Sequence, residues 1–249
     1  MDGWDFGLLT IASTGAGAVN AVVGSGSLIT FPALIAMGYP PILATVSNNV
    51  GLVPGMGSAV YGYRRELTGQ RPLLLRLAAA AGIGALIGSL LLLSLPSAWF
   101  QKVVPILIGT ACALVILQPV LARRLAAERR RGGAGLGLGV FGTGIYGGYF
   151  GAAQGVVLIG LLGALTTEDL QRLNAVKNAL ALTVNLVAAI VFVSVTTVDW
   201  YVAGIVAAGS TVGGLLGSRY GRLLSPVALR GTIAAVGLLA MTDLIARSW

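Results

Sequence analysis

The 249-residue chain contains no histidine and one cysteine, Cys112. Without histidine there can be no Ser-His-Asp triad, His-ligated metal or histidine proton relay. A lone cysteine excludes an internal disulfide and a zinc-thiolate cluster. Cys112 lies inside an apolar run and reads as a small core residue. Charge is also scarce. Charged residues make up 10% of the chain, against about 25% in a typical soluble domain. Glu66, Glu168, Asp169 and Asp199 fall between the apolar runs, and Asp243, near the end of the last run, is the one acid that could lie within a span. With no mid-span acid pair, an intramembrane enzyme is disfavoured, and no cofactor or metal is expected. A cleavable leader is not read either, because the start is acidic (Asp2, Asp5) and the first apolar run is too long for one.

What the chain does have is long apolar runs. Mean hydropathy is +0.90 and 56% of residues are hydrophobic. Several uncharged runs reach 20 residues or more, the length of a bilayer crossing at helical rise. The expected fold is an all-α, multi-pass membrane protein. Its partner is then the lipid bilayer. The net charge of +8 is carried by arginines in short loops, the pattern of cytoplasmic loops rather than of nucleic-acid binding.

Two apolar runs are overlong and broken by small residues. Residues 6–37 are interrupted by Gly24-Ser25-Gly26-Ser27, and residues 132–165 by Gly151-Ala152-Ala153-Gln154-Gly155. Each is followed by three ordinary apolar runs. A shift of 129 residues lays Gly26 on Gly155, Asn49 on Asn178, and Gly84 and Gly88 on Gly213 and Gly217. A one-residue slip then lays Pro96 on Pro226. The reading is two homologous four-segment membrane repeats, 1–121 and 132–249, joined by a basic linker at 122–131. Such duplication is typical of secondary transporters.

Two topologies remain open. Eight simple spans put ten cationic residues on one side and five on the other. If each broken segment is a re-entrant hairpin, six full spans remain and the repeats are inverted. The division is then thirteen, including Arg64, Arg65, the linker arginines, Arg172 and Arg219, against Lys102 and Arg247. The positive-inside rule favours the second arrangement, with a cytoplasmic linker and hairpin tips near midplane. Trp99 and Phe100, beside a turn at 96–99, are expected at a membrane interface.

Irregular backbone inside a bilayer must be lined by protein or water. The second arm of such a hairpin begins with free N–H groups and a partial positive charge, which suits an anion. Candidate substrate-binding residues are therefore Gly24, Ser25, Gly26, Ser27, Gly151, Gln154 and Gly155. The polar residues of the following helices join them: Ser47, Asn48 and Asn49, and Asn174, Lys177 and Asn178. The bland alternative is that the glycines serve helix packing, as Gly82, Gly84, Gly88, Gly213, Gly214 and Gly217 are read to do. An intramembrane lysine marks a functional site by default. With no nearby carboxylate, its expected partner is a small anionic substrate. Snorkelling to the interface is the alternative.

The break followed by Phe31-Pro32-Ala33-Leu34, the Ala44-Thr45-x-Ser47 stretch, the arginine linker and the duplicated second half together resemble the TauE/SafE sulfite exporter family, also called 4-toluene sulfonate uptake permeases. The resemblance covers essentially the whole chain. It implies a secondary transporter that moves sulfite, a sulfonate or a related sulfur-containing organic anion across the cytoplasmic membrane by alternating access, coupled to the proton gradient. The chain departs from the family at Asn174-Ala175-Val176-Lys177-Asn178, where an Ala-x-x-Thr-Ser-like stretch is more common. A passive anion channel and a non-transporting scaffold are the alternatives, and a homodimer is left open.

Overall fold

The computed structural model describes residues 2–127, 133–166, 168–221, 231, 233–236 and 238. Arg129, Arg130, Arg131, Arg222, Pro226, Arg230, Asp243 and Arg247 lie outside them, as do most of the last apolar run and the side chains of Arg123 and Arg124. Most of the described residues are helical, and among them there is no strand. The elements are α1 (Gly3–Val22), α2 (Ser27–Ala36), α3 (Pro41–Gly62), α4 (Arg71–Ser94), α5 (Ser97–Ala127), α6 (Gly133–Tyr149), α7 (Gln154–Leu165), α8 (Leu170–Val195) and α9 (Trp200–Tyr220). Among them α4, α8 and α9 are long and apolar enough to cross a membrane, and α2 and α7 are shorter apolar helices.

Helix ends follow local chemistry. Asp169 accepts from the backbone N–H of Gln171 and Arg172, opening α8, and Asp199 does the same for Tyr201 and Val202 at α9. These are N-caps that satisfy otherwise orphaned donors. Proline stands in the first turn of α3 and of α4, where its missing N–H costs nothing. Both long segments do break where small residues cluster. Gly24 (φ +86°) ends α1, and Gly151 (φ +77°) and Ala153 (φ +60°) separate α6 from α7. Glycine takes this left-handed region without the Cβ penalty.

Helix directions can be read from side-by-side residues. Along α3 and α9, Gly51 meets Val206, Gly55 meets Ser210 and Gly62 meets Ser218, so the two run the same way. Along α1 and α9, Ser13 meets Gly209, Ala18 meets Gly217 and Val22 meets Gly221, so α1 runs with them. Helix α2 is therefore the return stroke between two parallel helices. Helix α8 is antiparallel to α3: Asn49 bonds Asn185, whereas Met56 and Ala59, farther along α3, lie near Asn178 and Ala181. Helices α4 and α6 are parallel, with Ala81 against Gly144 and Ala85 against Gly148. The first tip runs deeper than midway along its neighbour, because α1 has 20 residues, about 30 Å at helical rise, and its last turn is level with the end of α9.

The packing glycines occupy matched interfaces. A Cβ on Gly84 or Gly88 would collide with backbone of α6, and one on Gly213 or Gly217 with backbone of α1. Gly214 lies against Gly55 and Ser58 of α3, while Gly82 meets α8 at ordinary contact distance. Gly84→Ala and Gly213→Ala are each expected to cost about 1–3 kcal/mol through overpacking, read as lower thermal unfolding temperatures in detergent. Gly204→Ala, inside α9 and with nothing within 4 Å of its added Cβ, should instead raise the temperature slightly through helix propensity.

One sequence expectation needs correction. Phe100 is not at an interface: it is fully buried and packs edge-on against Tyr149 and Phe150, with ring centroids 5.8 and 6.4 Å away. Helix α5 already starts at Ser97, and the helical turn carries Phe100 inward while Trp99 stays exposed. Cys112 lies in the same apolar core, as expected.

Candidate functional site

The two breaks meet. The backbone N–H of Gly155 donates to the carbonyl of Gly24 at 3.0 Å. A Cβ on either glycine would come within 2.5 Å of the other's Cα. Beside this contact lies a cavity lined by Asn20, Gly24, Met56, Ala59, Gly151, Gln154, Asn178 and Ala181. It offers about 10 Å³, on the order of one water molecule.

Several buried polar atoms here have no protein partner. Both side-chain heteroatoms of Gln154 are unpartnered, as are Asn20 Nδ2 and Ser25 Oγ, although these residues are at most 8% exposed. Asn20 Nδ2 and the two Gln154 atoms belong to residues that line the cavity; leaving such groups unsatisfied costs about 1–3 kcal/mol each, so a water or ligand is expected to face them. Gln154 fits because Gly147 leaves room for its carboxamide, where a Cβ would collide. The other face of Asn20 is engaged: Oδ1 accepts from the Gly26 N–H at 2.6 Å, tying the tip of the first hairpin.

Lys177 is fully buried, so it does not snorkel. Its ammonium donates to the carbonyls of Asn20, Ala21 and Val22, all at 3.3 Å. Asn178 Nδ2 donates to Ala21 at 3.0 Å. These carbonyls are the last acceptors of α1, orphaned where the helix stops. In this structure, then, Lys177 is bonded to a helix terminus, which carries partial negative charge.

Of the residues singled out from sequence, Gly24, Gly151, Gln154 and Asn178 line the cavity, and Gly155 and Lys177 adjoin that lining. Ser25, Gly26 and Ser27 form the turn into α2. Others lie elsewhere. Ser47 Oγ accepts from the Asp199 N–H at the start of α9. Asn49 donates to Asn185 at 2.7 Å, a buried polar tie between α3 and α8. Asn48 and Asn174 are buried but do not line the cavity. Sequence reasoning missed Asn20 as a site residue. The available signal was an asparagine inside an otherwise apolar run, four residues before a glycine break.

Residues 9–244 match the family described as sulfite exporter TauE/SafE. The chain belongs to the sulfite exporter TauE/SafE family. Over 222 residues it is 29% identical to the "probable membrane transporter protein YfcA" of Escherichia coli K12, covering 86% of this chain and 79% of that one. A "probable membrane transporter protein" of Haemophilus influenzae is 27% identical over 208 residues, 81% and 79% of the two chains. A third relative, "probable membrane transporter protein ORF9" of a Sinorhizobium species, is 28% identical over 253 residues, 97% and 95% of the two chains. No solved structure matches. Family membership and the apolar helices support a membrane transporter.

Proposed function

We propose that this chain is a secondary transporter that moves a small anion across the cytoplasmic membrane by alternating access, and that sulfite, a sulfonate or a related sulfur-containing organic anion is the cargo. The observation that carries the reading is the cluster of unpartnered buried polar groups, Asn20 Nδ2, Ser25 Oγ and the Gln154 carboxamide, at the contact between the starts of α2 and α7. The N-termini of these two helices bring partial positive charge to one spot. The cavity is too small for a tetrahedral anion, so binding requires the tips to part, as alternating access demands.

An inverted pair of repeats, each with a re-entrant first segment, is the architecture of this proposal. The parallel course of α1 and α3, the opposite course of α8, and the matched α1–α9 and α4–α6 interfaces support it. Arg64 and Arg65 line one cleft of about 820 Å³ together with Arg219. The hairpin topology puts these three arginines on one side, and eight simple spans would separate them. On a cysteine-free Cys112→Ala background, an Arg65→Cys thiol should react with an impermeant maleimide from the cytoplasmic side alone. Labelling from outside the cell would overturn the topology.

Transport itself is tested with the purified chain. Sulfite or an alkanesulfonate should raise its unfolding temperature and be taken up by proteoliposomes containing it. If no anion stabilises the protein or crosses the vesicle membrane, the reading fails.

A further inference from the structure

At a re-entrant tip the ends of two helices meet with opposite polarity. The C-terminus of α1 brings partial negative charge to the crossing and the N-terminus of α2 brings partial positive charge, and the same holds for α6 and α7. Where the C-terminus is left uncapped, its negative end offsets part of the positive field of the N-terminus beside it. Lys177 breaks this balance in the first hairpin by bonding to all three terminal carbonyls of α1. Three acceptors around one Nζ match the three N–H donors of an ammonium, whereas a neutral amine has two. The 129-residue shift lays Lys177 on Asn48, so the first half holds an uncharged residue at the matching position. Among the described residues no carboxylate bonds Lys177; Glu66, Glu168, Asp169 and Asp199 lie at helix ends or turns. With Lys177 as an ammonium, the crossing carries one positive charge. Its neighbours Asn20 and Asn178 connect that charge to the cavity wall.

Resting on the proposed anion-transport reading, we propose further that Lys177 sets the valence of the anion this chain accepts. A singly charged anion makes the crossing neutral. A doubly charged anion leaves one negative charge without a counterion in a dry, low-dielectric place, which is strongly disfavoured. Lys177 acts as a positioning and charge-setting residue: its ammonium stays on the α1 carbonyls, while Asn20, Asn178 and Gln154 face the ligand. The same arithmetic makes the loaded site neutral and the empty one cationic, so that the voltage-sensitive step is the return of the empty carrier.

The test compares two probes that are tetrahedral at sulfur, similar in size and different in charge, methanesulfonate and sulfate, on the full-length chain in nanodiscs and proteoliposomes. Wild type should bind methanesulfonate on the order of 100-fold or more tighter than sulfate, the scale of one charge a few ångströms away at an effective dielectric of about 20. Lys177→Met, close in length and uncharged, should lose a similar factor for methanesulfonate. Lys177→Arg should keep the order of preference. Lys177→Gln, uncharged but still able to donate to the α1 carbonyls, should lose the same factor even if Lys177→Met does not fold. Wild type binding sulfate as well as methanesulfonate would overturn valence setting and leave anion transport standing. So would unchanged methanesulfonate affinity in folded Lys177→Met. Binding of neither probe, or of any other anion, would overturn both readings.

Discussion

Gly155→Ala is expected to abolish transport and to destabilise the protein by about 3–5 kcal/mol, at the upper end for a single substitution. The added Cβ would sit 2.5 Å from Gly24 Cα. The colliding atom is backbone, so no rotamer change relieves it. Separating the tips also breaks the 3.0 Å bond from the Gly155 N–H to the Gly24 carbonyl and leaves two buried backbone groups unpaired. Gly24→Ala should be at least as severe, because Gly24 also has φ +86°. Gly38→Ala and Gly69→Ala isolate the cause. Those glycines have φ of +85° and +83°, and a Cβ on either would meet nothing within 4 Å, so they should cost about 1–2 kcal/mol of backbone strain and leave flux intact. Thermal unfolding in detergent and proteoliposome flux measure the two effects. Normal flux in Gly155→Ala would show that the tip contact is dispensable.

Asn20→Asp is expected to abolish anion-dependent stabilisation, with an affinity loss of about 100-fold or more, while raising the stability of the anion-free protein. The substitution keeps an acceptor oxygen for the Gly26 N–H, now as a charge-assisted bond. It replaces the unpartnered amide Nδ2 with a carboxylate oxygen beside the cavity. The backbone carbonyl of the same residue already accepts from the Lys177 ammonium. The carboxylate would act as a tethered substitute for the substrate, repelling a second anion by about 3 kcal/mol at an effective dielectric of about 20. Asn20→Leu should behave differently, losing the tie to Gly26 and about 1–3 kcal/mol of stability. The readout is the unfolding temperature with and without alkanesulfonate. Undiminished stabilisation by the anion in Asn20→Asp would remove Asn20 from the site.

The breaks and the Asp169 cap were legible in the sequence because each is set by near neighbours along the chain, and the packing glycines showed as a small-residue pattern, though not which helix each one meets. A left-handed turn asks for Gly24 and Gly151, and an N-cap asks for Asp169, whatever the rest of the fold does. Lys177 was visible as an unpaired charge in an apolar run, but its partner was not. The three carbonyls it holds lie more than 150 positions earlier, and every residue offers a carbonyl, so none stands out in a sequence. Asn185 shows the same limit: its bond to Asn49 joins α8 to α3 through one register of two helices, which residue types alone do not determine. Phe100 was misplaced because an aromatic after proline and tryptophan looks interfacial, whereas its burial depends on where α5 begins relative to α6.

The seating of α1 against α9 has a consequence for biogenesis. The groove that receives α1 is built from Gly209, Gly213 and Gly217, and its tip is completed by Gly155 and Lys177. A ribosome makes these parts long after residue 22. The first hairpin must therefore wait in the bilayer, its α1 carbonyls without their lysine, until most of the chain has been synthesised. Assembly closes from the last third backward, with the loop-closure cost that such distant contacts carry. A chain truncated before α9 should insert yet remain open to proteolysis within α1.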